Sequence, residues 1–144
     1  MKSTATAQWE GDLMSGKGKT SAASGTFRDA NLSWKARTEG AASSTTPEEL
    51  LAASHASCFS MALSHGLAQA GHPARRLSTT CVVEFGPKQG GGGFEVKSSA
   101  LEVKGQVPGI DQAAFAKAAE AAKTGCPISS ALKIAMSVKA TLES

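Results

Sequence analysis

The chain has no tyrosine, and aromatic residues make up only 5% of its 144 residues. Its apolar content of 41% is therefore carried mostly by small and aliphatic side chains, and with fifteen glycines this implies closely packed elements, not an aromatic-rich core. Charge is also sparse. A net charge of +3 with no basic block argues against a nucleic-acid partner. The opening MKSTATAQWEGDLM lacks the apolar run of a secretory signal, so a cytoplasmic location is expected, with no membrane partner. Three cysteines in a reducing compartment do not make a structural disulfide framework, which leaves chemistry or packing to explain them. At this length the expectation is one domain, residues 1–144, large enough for a core.

The longest stretch without Asp, Glu, Lys or Arg lies between Leu50 and Ala74, inside Thr46–Pro73. Thr46 reads as an N-cap, Pro47 as the first helical residue and Glu49 as the far side of a capping box; Gly71 and Pro73 read as the stop. Ser54, His55, Ser57, Ser60, Ser64, His65 and Gln69 interrupt the apolar run and exclude a membrane span. The missing charge predicts a helix with most faces covered by protein. Cys58 sits near its middle.

Strands are expected at Thr4–Glu10, Thr20–Phe27 and Leu32–Arg37, with Gly16–Gly18 as a connection and Gly40–Thr46 leading into the long helix. Leu77–Phe85 and Phe94–Val107 read as two arms of a hairpin with Gly90–Gly93 at its tip. A helix at Asp111–Lys123 follows, capped by Asp111 and ended by Gly125, then a helical turn from Cys126 to Ser130 and a last strand at Lys133–Leu142. This order describes an α+β fold with a mainly antiparallel sheet and a long central helix.

Two apparent motifs fail on spacing. Gly16–Thr20 ends like a phosphate loop, but Leu13 stands where the first glycine is needed. His55 and Cys58 share a helical face, which is half a metal site without a second pair. Cys58 is reactive only as a thiolate, and it lies too far along its helix for the dipole to lower its pKa. A cation must do so. Arg28, Arg37, Arg75 and Arg76 are the candidates, and Arg37, ending a strand before the helix, could fold back over it. An acid must orient that arginine. At 100° per residue Glu48 lies about 80° from Cys58 around the helix and Glu49 about 180° away, so Glu48 is assigned to the site and Glu49 to the cap. Cys126, between Gly125 and Pro127, faces free N–H groups of a helical turn. On local sequence it is as plausible a nucleophile as Cys58. If the two met in space they would make a peroxide-reducing pair. Cys81, mid-strand among Thr80, Val82 and Val83, reads as core.

TPEELLAASHASCFSMALS, preceded by WKARTEG and followed by VPGID and TGCPIS, resembles the OsmC/Ohr family of osmotically inducible protein C and organic hydroperoxide resistance proteins. Trp9–Asp12 and Pro108–Asp111 fit the OsmC branch better, and the likeness spans essentially the whole chain. The resemblance implies the OsmC-like fold, an intertwined homodimer, and a thiol peroxidase acting on organic hydroperoxides without metal or other cofactor. It implies Cys58 as peroxidatic and Cys126 as resolving cysteine, with a Cys58–Cys126 disulfide recycled by a dithiol of the lipoyl type. Arg37 matches the family's catalytic arginine and Glu48 its acidic partner, with Glu49 the alternative in this branch. Leu51, Phe59 and Met61 are expected to wall the site and favour alkyl groups. The rivals are a small-molecule binder whose cysteines merely pack and a zinc-binding module.

Overall fold

The computed structural model describes all 144 residues, which divide into two compact units, Met1–Leu50 and Leu51–Ser144. In the first, β1 (Ala5–Glu10), β2 (Lys17–Ala22) and β3 (Ala30–Ser33) form an antiparallel sheet in that order. β2 starts earlier than expected because Gly18 pairs with Trp9: a Cβ at Gly18 would fall 2.8 Å from the indole ring, so glycine lets the bulky ring lie across the ladder. β2 also stops earlier, at a turn in which Gly25 (φ 78°) donates its N–H to the Ala22 carbonyl.

The expected strand at Leu32–Arg37 breaks in the middle. Ser33 caps a short helix α1 (Trp34–Glu39), its Oγ accepting the Ala36 N–H at 3.0 Å, and Gly40 at φ 76° ends it. Arg37 therefore sits on a helix and not at a strand end. Alternation of apolar and polar residues pointed to strand, but over so short a run a serine cap decides the backbone.

The long helix α2 (Pro47–Gln69) begins as its caps predict: Thr46 Oγ1 accepts the Glu49 N–H at 3.0 Å. The reciprocal half of the capping box goes elsewhere, Glu49 accepting instead from the Thr45 hydroxyl at 2.5 Å. At the other end Gly71 takes φ 84°, with His72 N–H bonded to the Leu67 carbonyl and Gly71 N–H to that of Ala68. That pairing is a Schellman stop.

In the second unit, β4 (Arg76–Pro87) and β5 (Phe94–Gln106) form a long antiparallel hairpin whose tip contains Gly90–Gly93, all at positive φ. β5 is central, because β6 (Ala135–Glu143) joins its other edge in parallel. The crossover that a parallel partner requires holds α3 (Gln112–Gly125) and the single turn α4 (Pro127–Ala131). Asp111 caps α3 by accepting the Ala114 N–H, and Gln112 ties the helix to β6 through the Ala140 carbonyl and the Leu142 N–H. The fold is α+β with mainly antiparallel sheet.

The core of this unit is formed by Phe59, Leu63 and Leu67 of α2, Leu101 and Val103 of β5, and Phe115, Ala119 and Ala122 of α3. Gly105 makes room for it: a Cβ there would lie 2.4 Å from the Phe115 ring. The positions His55, Phe59, Leu63 and Leu67 recur every four residues and are all buried, while Ser54, Ser57, Met61, Ser64 and His65 are exposed in the single chain. The expectation that most faces of the helix are covered does not hold within one chain. No helix is long and apolar enough to cross a membrane.

Candidate active site

Sixty-eight residues of chain separate Cys58 from Cys126, yet their sulfurs stand 2.8 Å apart, both as free thiols. The crossover achieves this. α3 packs its Phe115–Ala119–Ala122 stripe into the core beside α2, and Gly125 ends it where Cys126 becomes N-cap of α4. Little travel separates these sulfurs from a disulfide bond of about 2.05 Å.

The two thiols differ in access and in charge. Cys58 is half-buried and lines an open groove of about 740 Å³, whereas Cys126 is wholly buried. Burial, and next the neighbouring Cys126, push the Cys58 thiol above the ordinary range, against a lesser pull from the Ile128 N–H. Burial also opposes ionisation of Cys126. There it is outweighed by hydrogen bonds from Cys58, from the N–H and hydroxyl of Ser129 and from the Ile128 N–H, which bring its pKa below the ordinary range. The Ser129 N–H lies 3.5 Å from the Cys126 sulfur, as an N-cap requires. Within the pair the enclosed sulfur gives up its proton more readily than the reachable one.

The groove is mostly apolar. Met61, Ala62, Ala118 and Ala121 form its walls, with Lys117 and His65 also lining it. Met61 is a wall residue, as expected. Phe59 is not, because it points into the core at 0% exposure, and Leu51 does not line the groove.

In the first unit Arg37 and Glu48 form a forked ion pair. The guanidinium Nη2 donates to Glu48 Oε1 at 2.6 Å, and Nε lies 3.1 Å from both carboxylate oxygens. Glu48 is largely buried and Arg37 partly so, a setting in which a two-point carboxylate fixes the guanidinium plane. Glu49, bonded to Thr45, is outside this pair.

His55 does not present half a metal site. Its Nδ1 is 2.7 Å from the Ser99 hydroxyl and its Nε2 2.8 Å from that of Ser129, so both ring nitrogens are taken. Burial pushes its pKa down, which keeps the imidazole neutral. Cys81 packs against the core, half-buried, with its sulfur 3.2 Å from Ser99 Oγ. Sequence reasoning missed Ser99 and Ser129 altogether, because each meets His55 only across a large separation in the chain. The signal available was a histidine on the apolar ridge of a helix, which must find polar partners when buried.

A long helix laid on a sheet, with its mid-helix thiol against a capping thiol from the crossover, defines a redox-cysteine class. The chain belongs to the OsmC-like protein family, whose sequence model matches residues 39–141. It is 40% identical over 138 residues to peroxiredoxin OsmC of Escherichia coli strain K12, covering 96% of this chain and 94% of that one. Among solved structures it resembles the organic hydroperoxide resistance protein OhrB of Bacillus subtilis, with a TM-score of 0.72 and 26% identity over 97% of this chain and 98% of that one. It also resembles a putative organic hydroperoxide resistance protein of Vibrio cholerae with captopril in one active site: TM-score 0.73, 26% identity, 99% and 91% coverage.

Proposed function

We propose that this protein is a cysteine-based peroxidase that reduces organic hydroperoxides to alcohols, with Cys58 as the peroxidatic and Cys126 as the resolving residue. The observation that carries the reading is the pair of sulfurs 2.8 Å apart, of which only Cys58 lines the groove. Cys58 attacks the distal peroxide oxygen, the O–O bond breaks, and the alcohol leaves with the thiol's proton. Cys126 then attacks the Cys58 sulfenic acid, water leaves, and a disulfide remains for a dithiol of the lipoyl type to reduce. The apolar groove walls favour alkyl hydroperoxides over hydrogen peroxide. The names of the E. coli relative and the B. subtilis neighbour support the same chemistry.

In this reading the Arg37–Glu48 pair serves the same reaction. Since burial and the neighbouring Cys126 push the Cys58 pKa up, a cation is needed to favour its thiolate, and a guanidinium held by a carboxylate suits that task and the orientation of a peroxide oxygen. Arg37 acts from the same chain or from a second copy. The chain works as one OsmC-like domain of 144 residues in a cytoplasmic homodimer, and the uncharged exposed face of α2, with Met61 67% exposed, supports a second copy as its cover.

Peroxide consumption with a dithiol, using cumene hydroperoxide and hydrogen peroxide in turn, tests the reading. The wild type is expected to consume the organic substrate faster, Cys58→Ser to lose turnover, and Arg37→Ala to lose about a hundredfold or more in rate, far beyond what its loss of stability accounts for. No turnover by wild type, with all three thiols still free, would instead leave a small-molecule binder.

A further inference from the structure

Two contacts join α2 to the turn α4, and they are spaced alike. His55 and Cys58 stand three residues apart on one face of α2, and Cys126 and Ser129 are three residues apart at the start of α4. Cys58 Sγ meets Cys126 Sγ at 2.8 Å, and His55 Nε2 meets Ser129 Oγ at 2.8 Å. The imidazole is anchored in turn to β5, its Nδ1 lying 2.7 Å from Ser99 Oγ. Either neutral tautomer of the ring makes both bonds, because each hydroxyl can donate or accept.

The contact between His55 and Ser129 matters because α4 has little else to hold it. A helix of five residues has no stability of its own. It begins where the Cys126 N–H bonds the Ala122 carbonyl of α3. Beyond that point Ser129 is the only α4 residue whose side chain bonds to another element, since the Ser130 hydroxyl returns to the Cys126 carbonyl. Ile128 packs against the core, but apolar contact is non-directional. His55, Ser99 and Ser129 are 0%, 0% and 2% exposed, so water does not take the place of a lost bond.

We propose that His55 is a positioning residue for the thiol pair: through Ser129 it holds α4 in register on α2 and so sets Cys126 against Cys58. The proposal rests on the reading that these two sulfurs form the disulfide. When Cys126 attacks the Cys58 sulfenic acid, an S–S bond forms, the S–O bond breaks, and the departing hydroxide takes a proton to leave as water. A turn free to shift offers its sulfur to that step less of the time. The same loss of effective concentration appears at equilibrium with a disulfide probe. There the two thiols give up their hydrogens and two electrons, the protein's S–S bond forms, and the probe's S–S bond opens to a dithiol.

The test equilibrates full-length protein with mixtures of reduced and oxidised dithiothreitol. The Cys58–Cys126 disulfide is read by differential alkylation with peptide mapping, which keeps Cys81 apart. Ser129→Ala is expected to lower the ratio of disulfide to dithiol about fivefold in a given mixture, which is about 20 mV for a two-electron couple. Ser99→Ala removes an equally buried bond of the same ring without touching α4, so it is expected to lower stability but leave the ratio within about twofold of wild type. His55→Asn, whose amide reaches Ser99 but not Ser129, is expected to behave as Ser129→Ala does. His55→Gln, whose amide stands where Nε2 stood, is expected to restore the ratio. An unchanged ratio in folded Ser129→Ala, an equal loss in Ser99→Ala, or equal ratios for His55→Asn and His55→Gln overturns the proposal. So does a wild type that forms no Cys58–Cys126 disulfide in any mixture. The equilibrium needs no peroxide, so a protein that shows these shifts yet consumes no hydroperoxide upholds the positioning role and sinks the peroxidase reading alone.

Discussion

In Leu51–Ser144, residues from α2, β5 and α3 close an apolar core around Phe59 and Phe115, both at 0% exposure. In Met1–Leu50 the buried residues are Thr20, Ala36 and Glu48, every residue of β1 is exposed, and Trp9 is 42% exposed. One region is held by burial of hydrocarbon, the other by a hydrogen-bonded ladder, helix caps and one ion pair. The contrast has a functional counterpart. The thiol pair lies in the cored region, with Cys126 part of the core and Cys58 packed against it. The arginine–glutamate pair lies in the region with little core, and its geometry is set by the fork of its own hydrogen bonds.

The comparison breaks most visibly at the core. Phe115→Ala is expected to cost about 3–5 kcal/mol in denaturant unfolding, through lost transfer energy and the cavity left over Gly105. In the other region Glu48→Gln is expected to cost about 1–3 kcal/mol, because it leaves a guanidinium without its charged partner; loss of peroxidase rate beyond that expected from the unfolded fraction would show that the pair also serves chemistry. Acid sharpens the contrast further. His55 is kept neutral by burial, so its folded pKa lies below the unfolded value of 6.5. The stability this contributes is present above pH 6.5 and is lost as pH falls, by up to about 1.4 kcal/mol per unit. Unfolding midpoints measured from pH 7.5 to 5 should show that slope in wild type and a reduced slope in His55→Gln. The smallest effect is expected from Trp9→Ala, about 0.5 kcal/mol or less in a monomer. A loss of several kcal/mol that grows on dilution would mean that a second copy covers β1.

Much of the architecture was legible because caps and punctuation are local. Thr46 with Pro47, Gly71, Gly90–Gly93 and Asp111 each act on backbone within a few residues, and each marks its boundary correctly. The misreading of Leu32–Arg37 has a local cause too, since a serine cap and a short alternating pattern compete over the same residues. The parallel pairing of β6 with β5 was not legible, because register between strands so distant in sequence is set by what packs over them.

The sequence alone determined that Cys58 lies mid-helix and Cys126 at a helix start, since helix position depends on nearby residues. It also determined that the acid and the arginine flank one short stretch of chain. Only the tertiary structure decided that the two sulfurs meet, that Cys58 and not Cys126 lines the groove, and that the proton prefers Cys58. It alone joined His55 to Ser99 and Ser129. Contact between distant residues, burial and the sharing of a proton are properties of packed neighbours, and packing is a sum over the whole chain that no local pattern contains.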